Sequence, residues 1–299
     1  MNVSDAIEEY ISYIESVRTL SANTVTACRN DLQQFMEMPF IGPEKQMEQL
    51  LLEDLKQCIG VLSKKKRSAA SINRFISSVR SLFAYCRNFG HLKVNVALEL
   101  KTVKNPKKLP RFMTGDEIDR LCREPEVNEL LWEKRDKAIF EMLYSSGCRA
   151  SEIVSLTLDD FNGDFSSAVV TGKGSKDRRV YFEDDAQKAL KDYLEDRKKR
   201  FGDGDKESHV FVNQRGGALT TGGLRLIISR YSGSDGTKHH VSPHAFRHTF
   251  ATAMITNGAD VRMVQELLGH SSISTTQRYT HISTEQMIAM YNKAHPHAK

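Results

Sequence analysis

The stretch KTVKNPKKLPRF, residues 101–112, most narrows what this chain can fold into. Pro106 and Pro110 lack a backbone N–H and clash with a preceding helical turn, so no regular helix runs through them. Lys101, Lys104, Lys107, Lys108 and Arg111 keep the stretch in water. The 299 residues are therefore predicted to divide into a domain at 1–100, a basic linker at 101–112 and a domain at 113–299. Each domain is long enough to bury a core of its own.

Residues 1–100 carry helical stripes. Ala6, Tyr10 and Ile14 form the first, and Val25, Cys28, Leu32 and Phe35 the second, behind start-signal residues at Ser21–Thr24. Leu52, Leu55, Ile59 and Leu62 form the third. Ile72, Phe75, Val79, Leu82, Phe83 and Cys86 form the fourth, which Gly90 ends. The pattern predicts a four-helix bundle. Lys64, Lys65, Lys66 and Arg67 fall in the turn before the last helix, and Arg74, Arg80 and Arg87 lie along it. Residues 1–110 hold 16 Lys and Arg against 11 Asp and Glu, whereas the remaining residues hold 27 of each. All the excess positive charge thus lies in the first third, as on a nucleic-acid surface or an ordinary solvated face.

The second part mixes helix and strand. Asp136–Ser146 is predicted helical up to Gly147. Ser166–Thr171 and Arg178–Phe182 read as a hairpin around GKGSKD. Helices are predicted from Asp185 to about Lys199 and from about Thr221 to Tyr231. SGSDGTKHH is polar and reads as a loop. Ser242-Pro243 then opens a helix that stops near Asn257-Gly258, with serine expected to cap and proline in the first position. Asp260 caps another that ends at Gly269, and the Ser274 to Gln277 spacing predicts a short helix containing Tyr279. The class is mainly α with a small β-sheet.

No apolar run approaches the roughly 18 residues of a membrane span. The N-terminal segment is acidic and amphipathic, unlike a secretory signal. Five scattered cysteines with no CxxC pair argue against a disulfide framework or structural zinc, and a reducing cytoplasm is expected.

Six side chains stand out in the second part. His244 and Arg247 lie one turn apart on the helix opened by Ser242-Pro243. His270 follows the stop at Gly269, where it could act as a functional group or cap the helix. Arg149 sits in the turn of SSGCRASEI. It either pairs with Glu152 or awaits a phosphate. Lys173 tips the hairpin, and GKGSKD lacks the spacing of a nucleotide-binding loop. Tyr279 would need surrounding positive charge to act as a nucleophile. Two arginines, a lysine, two histidines and a tyrosine, without a carboxylate cluster for a metal, suit attack on a phosphodiester without Mg²⁺.

The blocks SGCRASEIVSL, GKGSKDRRV, SPHAFRHTFAT and NGADVRMVQELLGHSSISTTQRYTH resemble the tyrosine recombinase (phage integrase) family, and most closely its Xer-like members. SANTVTACRNDLQQF and SAASINRFISSVRSLFAYCRNFG resemble that family's SAM-like core-binding domain. Cys148 departs from the pattern, since an aliphatic residue is usual before the arginine. The polar SGSDGTKHH stretch also looks slightly long.

The resemblance implies a helical core-binding domain and an α+β catalytic domain forming a C-shaped clamp around DNA. It implies that Tyr279 is the nucleophile and forms a 3′-phosphotyrosyl bond. Arg149 and Arg247 would clamp the phosphate, Lys173 would protonate the leaving 5′-oxygen, His244 would assist as base and His270 would hydrogen-bond the phosphate. No cofactor is implied, neither ATP nor metal. Lys64, Lys65, Lys66, Arg67, Arg74, Lys104, Lys107 and Lys108 are the expected DNA contacts. Partners would be double-stranded DNA with paired recombinase-binding sites, a homotetramer or a heterotetramer with a second recombinase, and accessory input such as a DNA translocase. Residues 283–299, with Ile282, Met287, Ile288 and Met290 nearby, would dock on a neighbouring protomer or fold back in cis.

Four readings stay open from sequence: a chromosome-dimer or mobile-element recombinase, a non-catalytic accessory DNA-binding protein, a type IB topoisomerase-like enzyme, and a metal site at His240, His244 and His248. The last is disfavoured because His240 precedes the helix start.

Overall fold

The fold comes from a computed structural model, which describes residues 1–104, 113–128, 130–172, 176–202, 207–232, 241–269 and 284–297. The chain forms two compact units, Met1–Lys108 and Leu109–Lys299.

The first unit is built from α1 (Val3–Ser12), α2 (Ala22–Met36), α3 (Leu52–Lys64) and α4 (Ala69–Asn88). Its long helix α4 buries Ile72, Phe75, Ile76, Val79, Leu82, Phe83 and Cys86, a stripe at three- and four-residue spacing. The Ser68 hydroxyl caps it by accepting from Ser71 N–H at 3.2 Å. A carboxylate is sealed into this core. Asp31 on α2 is 3 % exposed and accepts from Arg74 Nη2 at 2.9 Å and Ser78 Oγ at 3.0 Å. The start of the basic stretch is tied down as well. The Asn73 side chain donates to Val103 O at 2.9 Å and accepts from Val103 N at 2.7 Å. A side-chain amide thus stands in for a neighbouring strand, and it fixes the chain just before the linker's prolines.

The second unit is arranged around α6 (Glu133–Ser146), packed between α5 (Gly115–Val127), α8 (Asp184–Phe201) and α10 (Pro243–Thr256). Covered on all sides, α6 buries polar residues as well as apolar ones: Arg135, Asp136, Glu141, Ser145 and Ser146. Its N-terminal ion pair is satisfied, with Asp136 also accepting from Tyr231 O–H at 3.1 Å. After α6 come the short α7 (Ala150–Ser155) and the antiparallel hairpin β1 (Ser167–Thr171) and β2 (Asp177–Tyr181), registered Ser167 to Tyr181 and Thr171 to Asp177. The helices α9 (Thr221–Tyr231), α11 (Val261–Leu268) and α12 (Thr284–Ala294) complete the unit.

One expectation changes. Proline does occupy the first position of α10, but the Ser242 side chain makes no capping hydrogen bond; the Ser242 carbonyl, not its hydroxyl, receives Ala245 N–H at 2.8 Å. Helix α12 lies on its own catalytic unit. Tyr291 and Ala294 are buried, Met287 and Met290 pack beside them, and Ile288 is exposed. Ile282 and the expected helix around Tyr279 lie outside the described residues.

All five cysteines are buried free thiols. Cys148 is fully buried in the main core of the second unit, and burial pushes its thiol up to about 11. It therefore packs as a small apolar residue, filling the aliphatic role that the family pattern leads one to expect. Among the described residues, no helix is long and apolar enough to cross a membrane.

Candidate active site

Two arginines from different elements meet on one carboxylate, and a third is held on neighbouring main-chain carbonyls. Arg149 is the residue on which α7 begins, and Glu152 lies one turn into that helix. The spacing lets Glu152 Oε2 accept Arg149 N–H at 2.7 Å, while Oε1 accepts from Arg149 Nη1 at 2.7 Å. Arg178, the second residue of β2, reaches the same carboxylate with both terminal nitrogens, at 2.7 and 2.9 Å. Burial alone would raise the Glu152 pKa. Hydrogen bonds from Arg178 and Arg149 outweigh it and hold the group at about 2.

The guanidiniums are also tied to main-chain carbonyls at two helix ends. Arg247, one turn after His244 on α10, donates to Gly147 O at 2.8 Å and to Leu268 O. Arg149 Nη2 donates to Gly269 O at 3.1 Å, and Arg178 Nε to Leu267 O at 2.7 Å. These carbonyls terminate α6 and α11, where the helix leaves acceptors unpaired and the dipole favours cations. Gly147 makes the approach possible. It ends α6 at φ +61°, and a Cβ there would stand 2.5 Å from Phe250 Cδ1.

The cluster carries three positive charges against one negative. Arg247 is 8 % exposed. Burial and then the neighbouring Arg149 and Arg178 lower its pKa to about 10, so it remains charged at neutral pH under electrostatic pressure. An added anion relieves that pressure. Rigid, planar donors with this spacing suit the non-bridging oxygens of a phosphodiester.

Of the residues expected from sequence, Arg149 and Arg247 come together here, and exposed His244 stands one turn before Arg247. Lys173, His270 and Tyr279 lie outside the described residues. The sequence reading offered Glu152 as a partner of Arg149 but did not single out Arg178. Arg178 sits 26 residues from Glu152 in a strand, and only the folded hairpin joins them. In the first unit Lys64, Lys65, Lys66 and Arg67 are exposed at the α3–α4 turn, as is Lys104. Arg74 is half-exposed and holds Asp31, so its charge is partly committed within the unit. Lys107 and Lys108 lie outside the described residues. Of the three histidines weighed as a metal site, His244 and His248 lie on α10 and His240 is not described.

Comparison with known proteins agrees with this arrangement. Residues 111–286 match the model of the Phage integrase family, and residues 7–88 that of Phage integrase, N-terminal SAM-like domain. Tyrosine recombinase XerC of Treponema denticola is 40 % identical over 99 % of this chain and 100 % of its own length. Tyrosine recombinase XerD of Lacticaseibacillus casei is 37 % identical over 97 % and 98 %. In fold, the Tn1549 transposon integrase in complex with a circular intermediate DNA matches with a TM-score of 0.74 at 17 % identity, covering 97 % of this chain and 98 % of that one. A lambda integrase dimer bound to a core site matches at 0.72 and 16 %, covering 95 % and 100 %. With a catalytic-domain match over more than half its length and full-length relatives of this identity, the chain belongs to the phage integrase family and is a tyrosine site-specific recombinase.

Proposed function

We propose that this recombinase cuts and rejoins DNA through Tyr279 in Xer-like site-specific recombination. The observation that carries the reading is the pairing of Arg149 and Arg178 on one buried carboxylate, with Arg247 held on the adjoining helix-end carbonyls. Arg149 and Arg247 bind the non-bridging oxygens of the scissile phosphate, and Glu152 with Arg178 holds Arg149 in place. The Tyr279 phenol attacks phosphorus in line with the 5′-oxygen, with His244 assisting removal of its proton. The P–O5′ bond breaks, Lys173 protonates the departing oxygen, and His270 donates to the phosphate. A 3′-phosphotyrosyl bond has replaced one phosphodiester bond, so the 5′-hydroxyl of a partner strand can reverse the step. The guanidiniums supply the charge neutralisation that a divalent ion supplies elsewhere.

In this reading residues 1–100 and 113–299 grip DNA as a clamp joined by the basic linker 101–112. Lys64 to Arg67, Arg74, Lys104, Lys107 and Lys108 contact phosphates. The lambda integrase tetramer bound to a Holliday junction, similar in fold to this chain, supports assembly of four protomers on paired sites, alike or with a second recombinase. Within this reading the role is chromosome-dimer resolution under control of a DNA translocase, in the cell interior.

The test is trapping. Wild-type and Tyr279→Phe proteins are incubated in EDTA with nicked suicide duplexes made from native genomic fragments, and the products are run on denaturing gels and sequenced. A covalent adduct lost in Tyr279→Phe, at one recurring sequence, supports the reading. DNA binding without any adduct favours an accessory protein, and adducts without site preference favour a topoisomerase.

A further inference from the structure

Away from the arginine cluster, the second unit buries a set of donors that the strand-transfer chemistry does not use. Glu141 on α6 and Glu183, just before α8, are 7 % and 4 % exposed. His297 follows α12. One donor atom from each of the three lies within 4.8 Å of the others. Glu141 Oε2, Glu183 Oε1 and His297 Nδ1 are buried without a hydrogen-bond partner. On two of them a second atom is engaged. Glu183 Oε2 accepts Asp185 N–H at 2.9 Å, and His297 Nε2 meets Asp119 Oδ1 at 3.1 Å.

An unpartnered carboxylate oxygen normally costs too much to bury, and here two face an imidazole nitrogen in the same condition. The Asp119 contact orients the ring. A carboxylate on Nε2 places the proton there and leaves Nδ1 as a lone-pair donor, the arrangement found behind metal-bound histidines.

We propose that Glu141, Glu183 and His297 bind one divalent transition-metal ion, with Zn²⁺ the best fit, which fastens the chain after α12 to the catalytic core. Two carboxylates and one imidazole are borderline-hard donors suited to Zn²⁺, and water completes four-coordination. Zn–O and Zn–N bonds of about 2.0–2.2 Å place tetrahedral donors roughly 3.5 Å apart, so small side-chain rotations close the set. The mechanical consequence follows from the neighbours. Tyr291 donates to Ser145 O at 3.0 Å, and the Ser145 hydroxyl accepts Glu183 N–H at 2.9 Å. His295 stacks on Tyr291 with centroids 5.1 Å apart. Residues 291–297, α6 and the start of α8 already form one packed knot, and the ion would lock it. Because α12 begins five residues after Tyr279 in sequence, the ion would bias the C-terminal segment toward its own subunit.

The full-length protein, stripped of metal and freed of chelator, is titrated with Co²⁺ while its visible d–d bands are recorded, and then with Zn²⁺ in competition. One equivalent of Co²⁺ per chain, displaced by Zn²⁺, is expected. His297→Ala should weaken binding by at least about tenfold, and Asp119→Asn by about tenfold through loss of ring orientation. His297 is partly exposed, so its variant should fold, as far-UV circular dichroism checks; Glu183→Gln provides a second removal of one ligand. Absence of saturable binding overturns the proposal, and so does binding unchanged in His297→Ala. Because the cleavage assay runs in EDTA, failure here leaves the recombinase reading untouched.

Discussion

Arg178 grips Glu152 with two parallel hydrogen bonds, Nη1 to Oε1 at 2.7 Å and Nη2 to Oε2 at 2.9 Å, while the same two oxygens receive Arg149. The carboxylate is a hub. It sets the position of Arg149 together with a second arginine that comes from the hairpin.

Glu152→Gln should therefore act on fold and chemistry together. Removing one partner of a buried ion pair costs about 3–5 kcal/mol, which urea denaturation would register. In whatever fraction folds, a displaced Arg149 should slow adduct formation by roughly 10²-fold. Unchanged stability would show that Glu152 is not the hub.

The same group predicts an acid limit. The folded pKa of Glu152 lies below its ordinary value, at about 2 instead of 4.5. Its contribution to stability is thus complete above about 4.5 and is lost as pH falls through about 2, a total of roughly 3 kcal/mol. Denaturation midpoints between those pH values should fall in the wild type and flatten in Glu152→Gln.

Gly147→Ala should be among the most damaging small changes. It forces a side chain into the left-handed region, with its Cβ 2.5 Å from Phe250 and 2.9 Å from Leu268. A loss of about 2–4 kcal/mol is expected, and thermal unfolding would measure it. The carbonyl that receives Arg247 would shift too, so DNA cleavage should drop more than DNA binding.

Tyr291→Phe removes the phenol that contacts the Ser145 hydroxyl and carbonyl. The cost should be about 1–2 kcal/mol, and hydrogen exchange over residues 284–297 should quicken ahead of the rest of the unit. Uniform exchange across the unit would show that α12 is held by other contacts.

Alanine at Lys65 or Arg67, exposed at the α3–α4 turn, should weaken DNA binding about equally for target and non-target duplexes. Each should reduce the slope of log K against log salt by about one. Filter binding across a salt series tests this, and an unchanged slope would remove the turn from the DNA interface.

Much of this architecture is legible in the sequence, because a helix with one buried face writes that face at regular spacing. The stripes of α2 and α4 and the glycine stops after α6 and α11 all read directly. Helix α5 does not, although Thr114 and Glu117 form a reciprocal cap visible as a three-residue spacing. Its apolar positions are few. The start of α6 is hidden for the opposite reason, since Arg135 and Asp136 are buried as a pair and look like surface residues. Arg149 and Arg247 can be named from sequence through their flanking motifs. Arg178, and the set Glu141, Glu183 and His297, cannot, because their partners are tens of residues away and only tertiary packing assembles them.

The acceptors that hold the three guanidiniums, Glu152 apart, are peptide oxygens of Gly147, Leu267, Leu268 and Gly269. A peptide oxygen is supplied by any residue that keeps the backbone course. The charged pocket is therefore encoded less in neighbouring side chains than in where two helices stop. Sequence drift along α11 can proceed without disturbing it, whereas lengthening either helix by a single residue would pull the oxygens at its own end out of reach.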